Sequence, residues 1–343
     1  MSLVRSDCVL ESLTPKGAVR FDPITANTIH RTHTTSTLIA IIESASSDAI
    51  ISLSIWCISR ICRSSAVAAS LVKQGLARIL VRKCLKGTLV FSRYSAWCLG
   101  MLAYTDDLAE TLATHDVVKA SVDHLRYLTA DPSSGPADIC AAIYVIARMA
   151  RTIPLSKSLS KAGCVPLIVH HLSTSEDPQV LHWSSRAVGC LQRPNAVEIA
   201  KALLDAGCAT ALARLPRVLP SDVIEPLGSF AFAIQRLSCA EWGGGTRKAL
   251  VEAGAVDSLL SALRTSADIP YPQVHIDLAL AISFLGDVGG TSIRKEIVSA
   301  GGIDILKRVG AAGRPDVAKA CKMAVTSITG NIWTRNAGIC HSH

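Results

Sequence analysis

The sequence predicts an all-α solenoid of about seven units, each with three helices, and three observations predict it. One phrase recurs: Arg-Lys-Ala-Leu-Val-Glu-Ala-Gly-Ala-Val at 247–256 returns as Arg-Lys-Glu-Ile-Val-Ser-Ala-Gly-Gly-Ile at 294–303, with fainter copies at Glu198–Cys208, Leu159–Cys164 and Ala69–Leu76. A hydrophobic helix recurs as well, at Ser54–Cys62, Ser95–Ala103, Ala142–Ala150, Arg186–Leu191, Phe232–Leu237, Leu280–Leu285 and Met323–Ile328. Its third residue in the first copy serves as a reference, giving Trp56, Trp97, Tyr144, Arg186, Phe232, Leu280 and Met323, in steps of 41, 47, 42, 46, 48 and 43. The third observation is composition. Aliphatic residues and alanine dominate, aromatics are 4% of the 343 residues, and mean hydropathy is +0.35, which suits a long core of small and aliphatic side chains.

Residues 1–24 show no sustained period and contain Pro15, Gly17 and Pro23, which predicts an N-terminal arm. The helical pattern occupies residues 25–336, and 337–343 form a tail. Within a unit the expected order is short helix, glycine turn, middle helix, polar linker and long third helix. Gly163, Gly207, Gly254 and Gly301, spaced by 44, 47 and 47, mark the turn, and Gly75 fits the series. A tight helix–helix turn needs a left-handed residue just past the first helix, and glycine adopts that conformation without a Cβ penalty. His115-Asp116 stands where the second unit's glycine should be, so that unit is degenerate. Pro178, Pro220, Pro270, Pro272 and Pro315 fall in or near the linkers before third helices, where a helix breaker belongs. The residues two and five after each reference are always apolar, from Ile58/Ile61 to Val325/Ile328. They share one helix face, and that face is the expected core.

These motifs resemble the armadillo repeat family, whose phrase runs roughly Asn-Arg-x-x-Ile-Val-x-Ala-Gly-Ala-Ile before Leu-x-x-Leu-Leu. Arg247–Val256 with Leu259, Leu260 and Leu263, Arg294–Ile303 with Leu306, and Tyr94–Ala103 carry the match. HEAT repeats are the near neighbour, and the glycine turn argues against them. The resemblance implies a right-handed superhelix whose third helices line a groove that commonly holds an extended peptide. In importin alpha a tryptophan, and an asparagine four residues later, grip the peptide backbone. Here Trp56 and Trp97 match the tryptophan place, but the asparagine place holds Arg60, Met101, Arg148, Cys190, Arg236, Phe284 and Ser327. Recognition of nuclear-localisation signals is therefore not carried over.

Offsets −3, 0, +4 and +7 from the reference fall in one arc opposite the core face, and on this fold they look into the groove. The expected binding set is Trp56, Arg60, Arg63, Tyr94, Trp97, Met101, Tyr144, Arg148, Arg151, Trp183, Arg186, Phe232 and Arg236, with Leu53, Tyr104, Cys190, Arg193, Ser229 and Cys239 beside them. The first five units thus offer seven arginines and no carboxylate, whereas the sixth offers Asp277 and Asp287. Arginine presents a planar fork suited to carboxylate or phosphate, and aromatics add contact area. The pattern predicts an extended acidic or phosphorylated protein segment lying along the first five units. A packing role competes with this reading. Arg63, Arg151 and Arg193 fall in a last helical turn, where a cation suits the macrodipole, the aromatics can pack between units, and Leu53 can belong to the core.

Charge and composition set the remaining bounds. The net charge of +8 favours acidic partners, with nucleic acid or anionic membrane as the alternative. Apolar runs are too short for a transmembrane span, the start lacks the apolar stretch of a secretion signal, and Ser2 excludes myristoylation. None of the twelve cysteines forms a Cys-x2-Cys pair and most lie in helical apolar runs, so the expected compartment is reducing, cytoplasmic or nuclear. Gly243–Lys248 lacks phosphate-loop spacing and has a counterpart at Gly289-Gly290-Thr291, so it reads as an inter-repeat linker. His30/His33, His170-His171 and Cys340/His341/His343 lack the further ligands a metal centre needs, and Asp106-Asp107 reads as a solvated linker. No nucleophile, base and orienter stand at recognisable spacing, although a dispersed triad stays open. The expectation is a non-enzymatic scaffold or adaptor with no cofactor, metal or small-molecule substrate.

Overall fold

A computed structural model describes residues 28, 33–193, 196–239, 245–288 and 290–330. The expected arm (1–24) and tail (337–343, with Cys340, His341 and His343) lie outside the described residues, as do His30, Gly243, Gly244 and Gly289. The chain forms two compact bodies, Met1–Met149 and Ala150–His343. Among the described residues every regular element is a helix.

The first body contains α1 (Thr34–Ser44), α2 (Asp48–Ile61), α3 (Ser65–Lys73), α4 (Leu76–Ile79), α5 (Leu89–Leu102), α6 (Asp106–Ala113), α7 (Val117–Ala130) and α8 (Pro136–Met149). The second contains α9 (Ile153–Lys161), α10 (Cys164–Thr174), α11 (Pro178–Leu191), α12 (Val197–Asp205), α13 (Cys208–Val218), α14 (Glu225–Ser238), α15 (Gly245–Glu252), α16 (Ala255–Ser266), α17 (Pro272–Val288), α18 (Gly290–Ser299), α19 (Gly302–Ala312) and α20 (Pro315–Thr329). Third helices pack in series, α2 on α5 on α8 in the first body and α11 on α14 on α17 on α20 in the second. Middle helices do the same in the second body, α10 on α13 on α16 on α19.

The hinge of each repeat is a left-handed residue. Gly75, Gly163, Gly207, Gly254 and Gly301 have φ of 84°, 94°, 87°, 88° and 78°. Each follows the C-cap of the first helix and is itself the N-cap of the next, so two helices meet with almost no loop between them. The degenerate repeat keeps the geometry without the glycine, because Asp116 takes φ of 62°, which a short polar side chain tolerates better than most. Asp106 and Asp107 do not lie in a linker as expected. They open α6, where the Thr105 hydroxyl accepts from the Leu108 amide and two carboxylates suit the positive end of the helix. Proline opens third helices at Pro136, Pro178, Pro272 and Pro315, where its missing N–H is no loss. Gly245 and Gly290 open α15 and α18, which places the described part of both glycine runs at helix starts. The middle helix that follows Gly75 widens into a π turn at Leu80–Cys84, burying Leu80 and Cys84.

The +2/+5 face is the core, as expected. From Ile58 and Ile61 through Ile282 and Leu285 every one of these residues is buried, as is Ile328, and only Val325 is half-buried, in the last repeat. Burial of each such side chain contributes roughly 1.5–3 kcal/mol. Leu53, for which a core place was open, is 61% exposed.

A second device joins neighbouring repeats. A basic side chain on one helix reaches carbonyls at the C-terminus of another. Lys83 donates to the carbonyls of Glu43 and Ala45 at the end of α1, at 2.7 and 3.0 Å. Arg214 donates to Ser175 after α10, Arg264 to Ala300 after α18, and Arg247 to Ser238 at the end of α14. The last carbonyls of a helix have no intrahelical partner, and a cation there satisfies both the lone pairs and the dipole. These four basic groups therefore have a structural role that needs no carboxylate.

Replacing Gly254 with valine should cost about 1–2 kcal/mol, because a β-branched side chain resists the left-handed conformation. A fall in the urea midpoint, with the helical circular-dichroism spectrum retained at zero urea, is the expected result.

Candidate functional site

The third-helix face opposite the core places the predicted residues on one side of each body, but it treats them unequally. In the first body the neighbouring repeat closes over several of them. Trp97 and Tyr144 are 5% and 3% exposed, with ring centroids 4.2 Å apart. The Tyr144 ring lies on Gly100, where a Cβ would sit 2.4 Å from the ring, and its hydroxyl donates to Met101 Sδ at 3.1 Å. Met101 is buried too. These three were expected to meet a ligand. The structure instead uses them to pack α8 onto α5, because the glycine three residues after Trp97 leaves room for the next repeat's ring. Arg148 is half-buried and donates to the carbonyls of Gly100 and Ala103 at the end of α5, at 3.2 and 3.4 Å. Its role is the same C-terminal clasp seen at Lys83. Trp56, Arg60, Arg63, Tyr94 and Arg151 remain half-exposed, with the Arg60 guanidinium 6.0 Å from the Trp56 ring centre. The Tyr104 hydroxyl donates to the Arg63 carbonyl at 3.4 Å.

In the second body Trp183 is 2% exposed, with its ring edge-on to His182. It is a core residue of α11 rather than a contact surface. Arg193 donates to the Ala150 carbonyl just past α8. The remaining predicted residues form a cluster. Phe232 on α14 sits against Gly189 of α11, where a Cβ would come within 2.3 Å of the ring. The Arg186 guanidinium lies 4.3 Å from the Phe232 ring centre and that of Arg236 lies 5.2 Å from it. Neither guanidinium makes a hydrogen bond or ion pair among the described residues, and all three side chains are half-buried.

Two ionisable groups flank this cluster. Asp277 on α17 comes close to Gly228 and accepts a hydrogen bond from Gln273 at 3.0 Å. Burial pushes its carboxyl up to about 6, against the opposing pull of Gln273 and Arg186. His182 shares a 3.3 Å hydrogen bond with the Ser229 hydroxyl, and burial, reinforced by Arg186, pushes it down to about 4. At neutral pH the imidazole is therefore uncharged, so the local field comes from the two arginines and Asp277. Sequence arithmetic found Asp277 and Ser229 but not His182, which lies one helical turn before Arg186.

No helix among the described residues is long and apolar enough to cross a membrane, and no group of three or more His, Cys, Asp or Glu among them could hold a metal ion. The described cysteines are free, and burial pushes the thiols of Cys62, Cys164 and Cys208 up to about 12, where they are inert.

An engineered protein of known structure superposes on this chain with a TM-score of 0.70 and 22% identity, over 90% of this chain and 71% of its own. A second engineered protein gives a TM-score of 0.61 at 26% identity, over 74% and 96%. A designed armadillo repeat protein in complex with a (KR)4 peptide gives 0.61 at 18% identity, over 74% and 99%. The fold is that of an armadillo-repeat solenoid. No protein-family model and no curated protein sequence matches the chain.

Within the armadillo frame, Arg148 and Arg236 occupy the same place on their third helices, yet they act differently. Arg148 is held by two backbone carbonyls, and Arg236 is held only by the face of an aromatic ring. Sequence alone gives them one role; the structure separates them.

Because folding raises the Asp277 pKa, the carboxyl contributes stability below about pH 4 that is lost as pH rises through about 6. Asp277→Asn keeps the acceptor for Gln273 and removes the charge. It should raise the thermal midpoint at pH 7.5, by the equivalent of about 1–3 kcal/mol, and leave it unchanged at pH 4. His182 titrates alike in both proteins, so the difference between their melting curves isolates Asp277.

Proposed function

We propose that this chain is a non-enzymatic scaffold that holds an extended, acidic protein segment against its third-helix faces, in the cytoplasm or nucleus. The observation that carries the reading is the pair of guanidinium groups on Phe232, whose hydrogen-bond donors have no protein acceptor among the described residues. A half-buried guanidinium with no protein acceptor keeps donors open to a ligand, and an anionic ligand that supplies acceptors gains charge-assisted hydrogen bonds there. Trp56, Arg60, Arg63 and Tyr94 are half-exposed on the same third-helix face of the first body.

The fold supports the reading by analogy. The designed armadillo neighbour holds a (KR)4 peptide. On this chain the third-helix face carries the half-exposed Arg60, Arg63, Arg186 and Arg236, so the complementary peptide carries the opposite charge. Nucleic acid would need a broad field of free cations, and here Lys83, Arg148, Arg193, Arg214, Arg247 and Arg264 are engaged by helix C-termini.

A fluorescein-labelled Asp/Glu-rich peptide should bind the wild type, and the double variant Arg186→Glu/Arg236→Glu should lose about ten-fold or more in affinity, roughly 1.4 kcal/mol. Arg148→Ala should instead lower the melting temperature with little effect on binding, because it removes two charge-assisted bonds to carbonyls. Equal binding of the acidic peptide by wild type and the double variant sinks the proposal, as does a preference for a Lys/Arg peptide or for RNA.

A further inference from the structure

We infer that the Arg186–Phe232–Arg236 cluster is the seat of a phosphorylated side chain on the partner segment, a phosphate monoester held by two guanidinium forks. This rests on the reading above and narrows it to one site and one chemistry.

The cluster is preorganised. Phe232 is wedged on Gly189, leaving its ring no room to tilt toward α11. Each guanidinium is drawn to that ring, and an arginine held on an aromatic keeps its N–H edge directed outward. Two cations drawn to one ring repel each other unless an anion lies between or beside them. Elsewhere in the protein the equivalent problem is solved by a carbonyl or a carboxylate, as at Arg148, Arg193 and Arg93, which pairs with Asp138 at 2.9 Å. At Arg186 and Arg236 the described residues supply neither: Asp277 is near enough to feel the Arg186 charge, yet no ion pair joins them.

Charge favours phosphate over carboxylate. A carboxylate carries one charge on two oxygens in a plane. A phosphate monoester carries about −1.5 to −2 charges at neutral pH on three oxygens, which matches two cations and offers acceptors to both. Among the described residues the charged and titratable groups around the site are His182 and Arg186 on α11, Glu225 and Arg236 on α14, Cys239 just past it, Arg247 on α15 and Asp277 on α17. His182 is neutral at physiological pH, and the Glu225 carboxylate accepts from the Tyr271 hydroxyl at 3.2 Å. Arg247 is held by the Ser238 carbonyl, so among the described residues Arg186 and Arg236 are the cations available to the ligand, and Asp277 is the carboxylate that feels the Arg186 charge. Asp277 therefore sets selectivity: it disfavours any anion that binds too weakly to overcome it.

The test uses three fluorescein-labelled peptides of one Ala/Gly/Ser-based sequence, with serine, phosphoserine or glutamate at the centre, measured by anisotropy on the full chain. The phosphopeptide should bind about ten-fold or more tightly than the glutamate twin, with the serine peptide weakest. Arg186→Gln and Arg236→Gln should each abolish that preference, and Asp277→Asn should strengthen phosphopeptide binding. Arg186→Lys and Arg236→Lys keep the charge and guard against misfolding, and they too should lose the preference, because a point charge cannot replace the fork. Equal binding of the phospho- and glutamate peptides overturns the inference while leaving the acidic-segment reading intact. A phosphate preference that survives both glutamine substitutions, or both lysine substitutions, overturns it as well. Displacement by inorganic phosphate at the affinity of the phosphopeptide itself overturns the protein-segment part. Failure of the Asp/Glu-rich peptide and the phosphopeptide together removes both readings.

Discussion

No repeat of this chain can bury its own apolar face, and that constraint shapes everything else. A unit of three short helices leaves the flanks of its third helix bare unless the third helix of a neighbouring unit covers them. Each body answers by stacking third helix on third helix, so the core is a row of interfaces rather than a centre. The left-handed hinge serves the same end. It folds the first two helices back on each other in so little chain that successive third helices stay in register, and Asp116 shows that the backbone conformation matters more than the glycine that usually supplies it.

Stacking also decides which groove residues stay available. A side chain at the reference position points at the neighbouring helix as much as at solvent. Where the preceding helix carries glycine three residues after its own reference, as at Gly100 and Gly189, the next repeat's aromatic settles onto the backbone. At Tyr144 this closes the ring away, and at Phe232 it fixes a ring that remains half-exposed and gathers two arginines. The same local rule therefore yields packing in one place and a charged platform in another. What differs is the fate of the arginine four residues on: Arg148 finds carbonyls, and Arg236 finds none among the described residues.

This explains what the sequence made legible. The period of 3.6 residues fixes the azimuth of every third-helix side chain, so the core face and the opposite face could be assigned by counting, with Val325 the single residue to slip. Azimuth does not report depth. Trp97, Met101, Tyr144 and Trp183 lie on helices that were correctly placed, but they are buried because of what the neighbouring helix brings, and that depends on register between segments some forty residues apart. The glycine at +3, present at Gly100 and Gly189, was the available signal. Charge was misleading for a related reason. A surplus of +8 suggests a partner, whereas six of the basic groups, Lys83, Arg148, Arg193, Arg214, Arg247 and Arg264, reach helix C-termini within the fold. Partial charges on backbone carbonyls do not appear in a count of aspartate and glutamate.

Those backbone clasps carry one more consequence. A salt bridge between two repeats needs a particular residue at both ends, so a change on either side breaks it. An arginine or lysine that donates to a carbonyl needs a particular residue only at its own end, because every residue supplies the same acceptor. The partner position is then free to vary: Ser175, Ala300, Ser238, Gly100 and Ala103 have nothing in common but a main chain. A solenoid joined this way can let its repeats drift apart in sequence while the joints hold, and the fold stays recognisable in three dimensions where little of the motif survives in one.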